Sequence, residues 1–169
     1  NIGENKPFDI VSHSMGGIVS RIYIDRFSTG RSVQRIIYLG TPFLGSMNTF
    51  GTIQEGWGWA KNQLAGGRDV VWRVALSFPA MLELLPRDKG CCYLRKASGD
   101  RQDLEVFKPD TWRTFGWLPD AYTNDSARYQ TFSESLRAAG ELTPLLESPA
   151  PSRVQELMFA GDVHATLRK

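Results

Sequence analysis

A corner rich in serine and glycine lies near the start of the chain, in the sequence VSHSMGG at residues 11–17. A short apolar run precedes it, and a segment with apolar residues at helical spacing follows it. The pattern predicts a strand, a sharp turn and a helix. Such a corner can hold the Ser14 hydroxyl at its apex in a strained backbone conformation, with the partial positive charge of the helix N-terminus directed at whatever the oxygen attacks. The sequence therefore indicates acyl transfer.

The segments on either side of this corner extend it into a strand–helix–strand unit. Residues 8–11 are mostly apolar, which is typical of a strand buried in a parallel sheet, and residues 17–30 predict a helix of about three turns that stops at a glycine. Residues 33–39 are β-branched and apolar enough for a second strand. Because such units almost always make a right-handed crossover to a parallel neighbour, Ser14 and Thr41 are expected at the same edge of the sheet.

Composition and net charge limit the function classes open to the chain. A chain of 169 residues with 41% hydrophobic and 22% charged residues has the composition of a soluble globular protein with its own core. The 20 basic and 18 acidic residues leave a net charge of +2, and the chain has no dense basic run. Both observations argue against a nucleic-acid-binding protein.

The sequence contains no apolar run that approaches the roughly 18 to 20 residues needed to span a bilayer. Residues 1–6 have no signal-peptide character, so localisation stays open, as does the oligomeric state. The chain begins with Asn1 instead of methionine, and a strand is predicted almost at once. We therefore expect that this sequence is a piece of a longer protein.

The two cysteines, Cys91 and Cys92, are adjacent. A bridge between neighbours closes a small ring whose Cα atoms are closer than ordinary disulfide geometry prefers, so two free thiols are expected. Two cysteines and two histidines without paired ligand spacing make a structural zinc site improbable.

The region from about residue 45 to residue 150 has a different pattern, with all five tryptophans, many glycines and no obvious strand run. It predicts a helical layer, with one helix starting near Pro79 and stopping at Pro86, and another that contains Phe132 and ends near Gly140. Residues 154–160 return to strand character. We therefore predict a core built from residues 1–44 and 152–169, into which a helical cap of residues 45–151 is inserted.

Three stretches carry a family resemblance: residues 11–17 with Arg21, residues 39–45, and residues 77–86. The first contains Ser-x-Ser-x-Gly, a variant of the Gly-x-Ser-x-Gly nucleophile elbow with Ser12 at the first position. With these stretches the chain resembles the α/β-hydrolase superfamily and, more narrowly, the lipases and acyltransferases similar to lecithin:cholesterol acyltransferase. The resemblance implies a partial three-layer α/β-hydrolase core with an inserted helical cap that covers the active site and supplies an apolar acyl pocket.

The resemblance implies Ser14 as the nucleophile and the backbone N–H of Met15 as one oxyanion-hole donor. The second donor comes from a loop after an earlier strand, which is expected before Asn1. The acid and base of the triad lie beyond the strand that ends near Asp162, so both are expected after Lys169. Phe43 stands where the family usually has histidine, which leaves the polar role of that position in doubt.

The chain itself offers two other histidine assignments. His13 directly precedes Ser14, so its ring is expected to leave the turn in another direction, and a packing role is favoured over general-base catalysis. Asp162 and His164 have the right order for a triad, but they are two residues apart at one strand end. In the known layout the acid and the base come from different loops, so this pair is the less favoured alternative.

The sequence as a whole predicts a serine-dependent lipase, esterase or acyltransferase that cleaves ester bonds of lipid-like substrates through an acyl-enzyme on Ser14. Such a cycle requires no metal or organic cofactor. The sequence does not choose between water and an alcohol as the acyl acceptor, and amide cleavage stays open. The alternative from another class is a non-catalytic domain that keeps the hydrolase architecture and binds a lipid or a protein partner.

Overall fold

The computed structural model of the chain describes residues 6–27, 32–56 and 58–161. Within these residues it contains a three-stranded parallel sheet, a short two-stranded hairpin and a series of helices. The strands are β1 (Phe8–His13), β2 (Val33–Leu39), β3 (Tyr93–Arg95), β4 (Arg101–Asp103) and β5 (Gln155–Phe159). The helices are α1 (Gly16–Ile22), α2 (Met47–Glu55), α3 (Trp59–Leu64), α4 (Arg68–Ser77), α5 (Pro79–Glu83), α6 (Pro109–Thr114), α7 (Asp120–Thr123), α8 (Ser126–Glu141) and α9 (Thr143–Glu147).

The described residues form two compact units. One contains the residues up to Phe43 together with those from Pro144 onward, and the other contains Leu44–Thr143. Each unit has its own cluster of buried apolar side chains. We refer to them as the sheet unit and the helical unit. That the helical unit acts as a cap, with the predicted boundaries of residues 45–151, remains a proposal.

The sheet unit has the strand order β1-β2-β5, with β2 parallel to both neighbours. The predicted strand–helix–strand unit is present, and β2 has the predicted bounds of residues 33–39. β1 is less buried than predicted, since Val11 is 64% exposed. The reason is its position at the sheet edge, where β2 is its one strand neighbour among the described residues.

The helix after β1 is shorter than the three turns that the sequence predicts. Regular α-helix covers Gly16–Ile22, and a π-helical turn continues it over Tyr23–Phe27. The glycine that was expected to stop the helix, Gly30, lies outside the described residues. A π-turn changes which side chains share a face, and here it places Ile24 in the core while Phe27 stays exposed.

A buried arginine ties α1 to the segment that leads into β5. Arg21 is 2% exposed, and its Nη2 donates to the carbonyl oxygens of Pro149 at 2.7 Å and Ser148 at 3.1 Å. Its Nε lies 3.9 Å from Oε1 of Glu156 in β5. Because a buried charge needs compensating partners, these contacts fix the chain where it returns to the sheet.

The helical unit is built around an aromatic core. Trp112 is fully buried, donates from Nε1 to the Val106 carbonyl at 2.6 Å and packs edge-on against Phe132 with ring centroids 5.3 Å apart. Trp117 and Trp72 pack against the same core. These three tryptophans are therefore part of the core of the helical unit. Trp57 lies outside the described residues.

The helices predicted near Pro79 and around Phe132 are confirmed as α5 and α8. The prediction that residues 45–150 contain no strand is wrong, because β3 and β4 pair as an antiparallel hairpin. The expectation of two free thiols is also wrong, since Cys91 and Cys92 are joined by a disulfide with their Cα atoms 3.8 Å apart. The two cysteines directly precede β3, and the Cys92 carbonyl accepts from the Leu104 N–H at 2.9 Å, after β4.

Candidate active site

The turn between β1 and α1 has an unusual backbone conformation at Ser14. Its φ is +54°, and no other residue but glycine has a positive φ in the described part of the chain. For an L-residue this left-handed conformation is sterically costly and is maintained when the surrounding structure requires it. The strained apex that the sequence pattern predicted is therefore present at Ser14, which is exposed.

Hydrogen bonds on both sides fix this turn. The Ser14 N–H donates to the Leu39 carbonyl at the end of β2, with an N···O distance of 3.0 Å. The Ser14 carbonyl accepts from the Gly17 N–H, also at 3.0 Å. Ser14 is thus held between the neighbouring strand and the first turn of α1, as expected for strand ends that share one edge of the sheet.

The backbone around Met15 forms the N-terminal end of α1. Met15 occupies the N-cap position with no side-chain cap, and its carbonyl accepts from Ile18 at 3.0 Å. The Met15 N–H makes no hydrogen bond to any of the described residues. An unused backbone donor at a helix start is a favourable position for an anion.

Of the two glycines that follow Met15, only the second has no room for a side chain. A Cβ on Gly17 would overlap the Thr41 side chain at the end of β2, whereas a Cβ on Gly16 would meet nothing within 4 Å. The close approach of the helix to the end of β2 therefore falls at Gly17.

Ser12 occupies the first small position of the motif and has a role that the sequence did not indicate. It is 6% exposed, and its Oγ lies 2.7 Å from Oγ of Ser20 in α1. Ser20 also donates to the Gly16 carbonyl at 2.9 Å. The two hydroxyls join the strand to the helix across the turn, which explains why serine is tolerated where the usual motif has glycine.

The other candidate site residues from the sequence do not form a catalytic triad with Ser14 among the described residues. His13 is exposed and is the last residue of β1, paired in register with Leu39. Phe43 packs into the sheet-unit core, with its ring edge-on to Tyr38 at a centroid distance of 4.8 Å. Asp162 and His164 lie outside the described residues.

A partly buried polar network joins β2 to β5. The Tyr38 hydroxyl donates to Oε1 of Glu156 at 3.0 Å, and Oε2 of the same carboxylate accepts from the Ala150 N–H at 2.8 Å. Burial of the phenol, followed by the negative charge of Glu156, raises the pKa of Tyr38 above its usual value. Both carboxylate oxygens are therefore occupied by structural contacts, so Glu156 is a poor candidate for a triad acid.

The described residues offer no metal centre and no membrane span. No group of three or more His, Cys, Asp or Glu side chains suited to a metal ion occurs among them. None of the described helices is both long and apolar enough to cross a bilayer.

Comparison with known proteins places the chain in a family. The family model described as lecithin:cholesterol acyltransferase matches residues 1–133. The chain belongs to the lecithin:cholesterol acyltransferase family. This confirms the resemblance inferred from residues 11–17, 39–45 and 77–86, and with it membership of the α/β-hydrolase superfamily.

Two individual proteins are similar to this member of the lecithin:cholesterol acyltransferase family. A Saccharomyces cerevisiae protein described as uncharacterized protein YJR098C is 30% identical over 114 residues, which is 68% of this chain and 16% of the yeast protein. A chain in the crystal structure of the Tle4–Tli4 complex superposes with a TM-score of 0.64 at 16% identity, covering 90% of this chain and 35% of that one. The latter similarity supports the α/β fold. The chain thus spans a minor part of the length of both.

Proposed function

We propose that Ser14 is the nucleophile of a serine-dependent acyl hydrolase or acyltransferase that acts on ester bonds of lipid-like substrates. The observation that carries this proposal is the positive φ of Ser14 at a strand–helix corner, in a chain of the lecithin:cholesterol acyltransferase family. A backbone conformation this costly at an exposed serine is typical of a nucleophile elbow.

In the proposed mechanism, Oγ of Ser14 attacks the carbonyl carbon of the ester while a histidine takes the hydroxyl proton. The Met15 N–H donates to the oxygen that becomes negatively charged in the tetrahedral intermediate. Collapse of the intermediate breaks the ester bond, and the histidine returns the proton to the leaving alcohol. Water or a second alcohol then attacks the acyl-enzyme and regenerates Ser14.

The support for Met15 as an oxyanion donor is its position directly after Ser14 and its unused N–H. Because that N–H belongs to a backbone fixed by the helix, it needs no reorganisation as charge develops. One such donor contributes roughly a hundred- to a thousandfold to the rate in serine hydrolases.

The proposed general base is a histidine other than His13. A base must reach the Ser14 hydroxyl with one ring nitrogen while an acid orients the other. His13 is the neighbouring residue on the same strand end, and no hydrogen bond or ion pair links its ring to a carboxylate among the described residues. We therefore propose that the base is a histidine after Lys169, as the family resemblance implies, with His164 as the less favoured alternative.

Labelling of the full-length protein with a serine-directed fluorophosphonate tests the nucleophile. We expect one adduct on the peptide that contains Ser14, and we expect it to disappear in Ser14→Ala. Ser98→Ala, which changes an exposed serine in the turn between β3 and β4, is the matched control and keeps the adduct. A folded protein with no Ser14 adduct would instead favour the alternative, a non-catalytic binding domain with hydrolase architecture.

Turnover of a lipid ester by the same variants tests the reaction class. Wild type and Ser98→Ala are expected to release fatty acid from a long-chain ester in water, or to transfer it when an alcohol acceptor is supplied, and Ser14→Ala is not. The ratio of free acid to new ester measures the preference between hydrolysis and acyl transfer. Ser14-independent release of fatty acid would contradict the proposal.

A further inference from the structure

The helical unit contains a second chemical environment that the proposed ester chemistry does not use. A cavity of about 530 Å³ lies among α4, α7 and α8. This volume is within the range of small-molecule binding sites. All of its lining residues belong to the helical unit.

The floor of the cavity is apolar. Leu76 of α4 and Phe132 of α8 are almost completely buried at its base, and Val70 and Val74 form an apolar wall along α4. Val74 is 46% exposed, although it has a large aliphatic side chain. An alkyl chain in this position would remove apolar surface from water, which is favourable in proportion to the area covered.

The lining carries two positive charges and no negative charge. Arg73 of α4 and Arg128 of α8 are its charged members. Each has an aspartate at its Nε: Asp69 lies 3.0 Å from Arg73 and Asp125 lies 3.2 Å from Arg128, and neither aspartate lines the cavity.

The outer ends of both guanidinium groups remain available. The Nη groups of Arg73 and Arg128 have no hydrogen-bond partner within the part of the chain that the structure describes. Their side chains are 40% and 56% exposed, respectively, so an incoming ligand can reach them. Guanidinium groups with free Nη donors form short, charge-assisted hydrogen bonds to carboxylate or phosphate oxygens.

Three of the four hydroxyl groups that line the cavity are already used as donors, and the fourth belongs to Ser135. Tyr122 donates to the Arg73 carbonyl at 3.1 Å, Ser77 to the Val74 carbonyl at 2.7 Å and Thr131 to the Ala127 carbonyl at 3.0 Å. The arginines therefore supply the strongest free donors of the lining. Burial raises the pKa of Tyr122, while the positive charges of Arg128 and Arg73 act in the opposite direction, so both charges are felt at this hydroxyl.

We propose that this cavity binds an amphiphile with an anionic oxygen head group, a fatty carboxylate or an alkyl phosphate, whose head contacts Arg73 and Arg128 and whose chain covers the apolar floor. Free inorganic phosphate shares the head-group chemistry but cannot use the floor. A cationic amphiphile can use the floor, but its head group meets two guanidinium groups and no carboxylate among the lining residues. The site is therefore selective for the combination of anion and chain.

Photo-crosslinking in the full-length protein tests the site directly. The probe is a dodecanoate that carries a diazirine in its chain, and the crosslinked peptides are mapped by mass spectrometry. We expect crosslinks on the peptides of α4 and α8, with competition by unlabelled dodecanoate or dodecyl phosphate. The more effective of these two competitors identifies the preferred head group. At equal concentration, inorganic phosphate and dodecyltrimethylammonium should not compete.

The double variant Arg73→Gln with Arg128→Gln is expected to weaken dodecanoate binding at this site at least tenfold. Arg137→Gln, which removes the same charge from an exposed position of α8 outside the cavity, should leave binding unchanged. Circular dichroism establishes that each variant is folded. The crosslink map of the wild-type protein tests the site independently of the variants. Crosslinks confined to other regions, equal competition by the cationic amphiphile or by phosphate, or undiminished binding in a folded double variant would overturn the proposal.

Discussion

Gly16 and Gly17 are adjacent at the start of α1, but the structure has room for a side chain at only the first. We expect Gly17→Ala to reduce the free energy of unfolding by about 1 to 3 kcal/mol, because the new methyl group overlaps the Thr41 side chain. Gly16→Ala should be neutral or slightly stabilising, since alanine is the better helix former and its Cβ meets nothing within 4 Å. Urea unfolding of the two variants measures the difference, and a larger loss for Gly16→Ala would contradict this packing.

The backbone strain at Ser14 predicts an unusual order of stability for two substitutions. Ser14→Gly and Ser14→Ala both remove the hydroxyl, but only glycine adopts a φ of +54° without steric cost. We therefore expect Ser14→Gly to be more stable than Ser14→Ala by about 1 kcal/mol. Thermal unfolding monitored by circular dichroism makes the comparison, and equal or reversed stabilities would mean that the turn is not strained.

The sequence predicted the sharp corner at Ser14, but it did not predict the side-chain contacts that hold this corner in place. A local pattern of a strand, small residues and a helix is sufficient to predict a sharp corner. The overlap between Gly17 and Thr41 and the hydroxyl pair of Ser12 and Ser20 depend on how the helix lies against the two strands. Side-chain contacts of that kind are not encoded in a motif of five residues, so they could not be predicted.

Among the elements, α1 and the entry to β5 depend on one buried cation. We expect Arg21→Leu to reduce the free energy of unfolding by about 3 kcal/mol, because three carbonyl oxygens and Glu156 lose a charged donor in a buried position. Arg26→Leu, in the exposed part of the π-helical turn, is the control and should change it by less than about 0.5 kcal/mol. Chemical denaturation of both variants provides the values, and similar losses for the two would refute this role of Arg21.

The contact between β2 and β5 has a predictable dependence on pH. The raised pKa of Tyr38 means that the folded state retains the phenol proton at a pH where the unfolded state loses it. This contribution to stability is fully present below the unfolded pKa of about 10 and is lost as the pH rises further. Between pH 8 and pH 11, the free energy of unfolding should therefore fall more steeply for wild type than for Tyr38→Phe. Tyr93→Phe changes an exposed tyrosine and should follow wild type; parallel curves for all three proteins would contradict the prediction.

Elements with a clear period were predictable, and short polar elements were not. The apolar spacing of residues 129–136 indicates α8, and the β-branched run of residues 33–39 indicates β2. β3 and β4 have three residues each, mostly polar, and their pairing depends on the turn between them. The sequence also did not predict the disulfide beside β3. The usual distance between the Cα atoms of bridged cysteines argued against a bond between neighbours, yet Cys91 and Cys92 are joined.

At the scale of the whole molecule, the sequence predicted the family from stretches of each unit, and the family comparison confirms it. It did not predict the cavity with Arg73 and Arg128, because these residues lie on two helices far apart in sequence. Only the packing of α4 against α7 and α8 brings the positive charges and the apolar floor together. The role of Met15 in catalysis stays a proposal, as does that of Ser14, which the labelling experiment tests.

The proposal that the triad base follows Lys169 leads to a prediction for the chain of 169 residues by itself. We expect little or no Ser14-dependent hydrolysis of p-nitrophenyl butyrate, because loss of the base from a serine triad lowers turnover by several orders of magnitude. His13→Ala should leave any residual rate unchanged. Substantial turnover that is abolished in both Ser14→Ala and His164→Ala would contradict the prediction and would identify His164, two residues after Asp162, as the base. Substantial turnover that is abolished by His13→Ala would instead show that the histidine beside Ser14 reaches its hydroxyl.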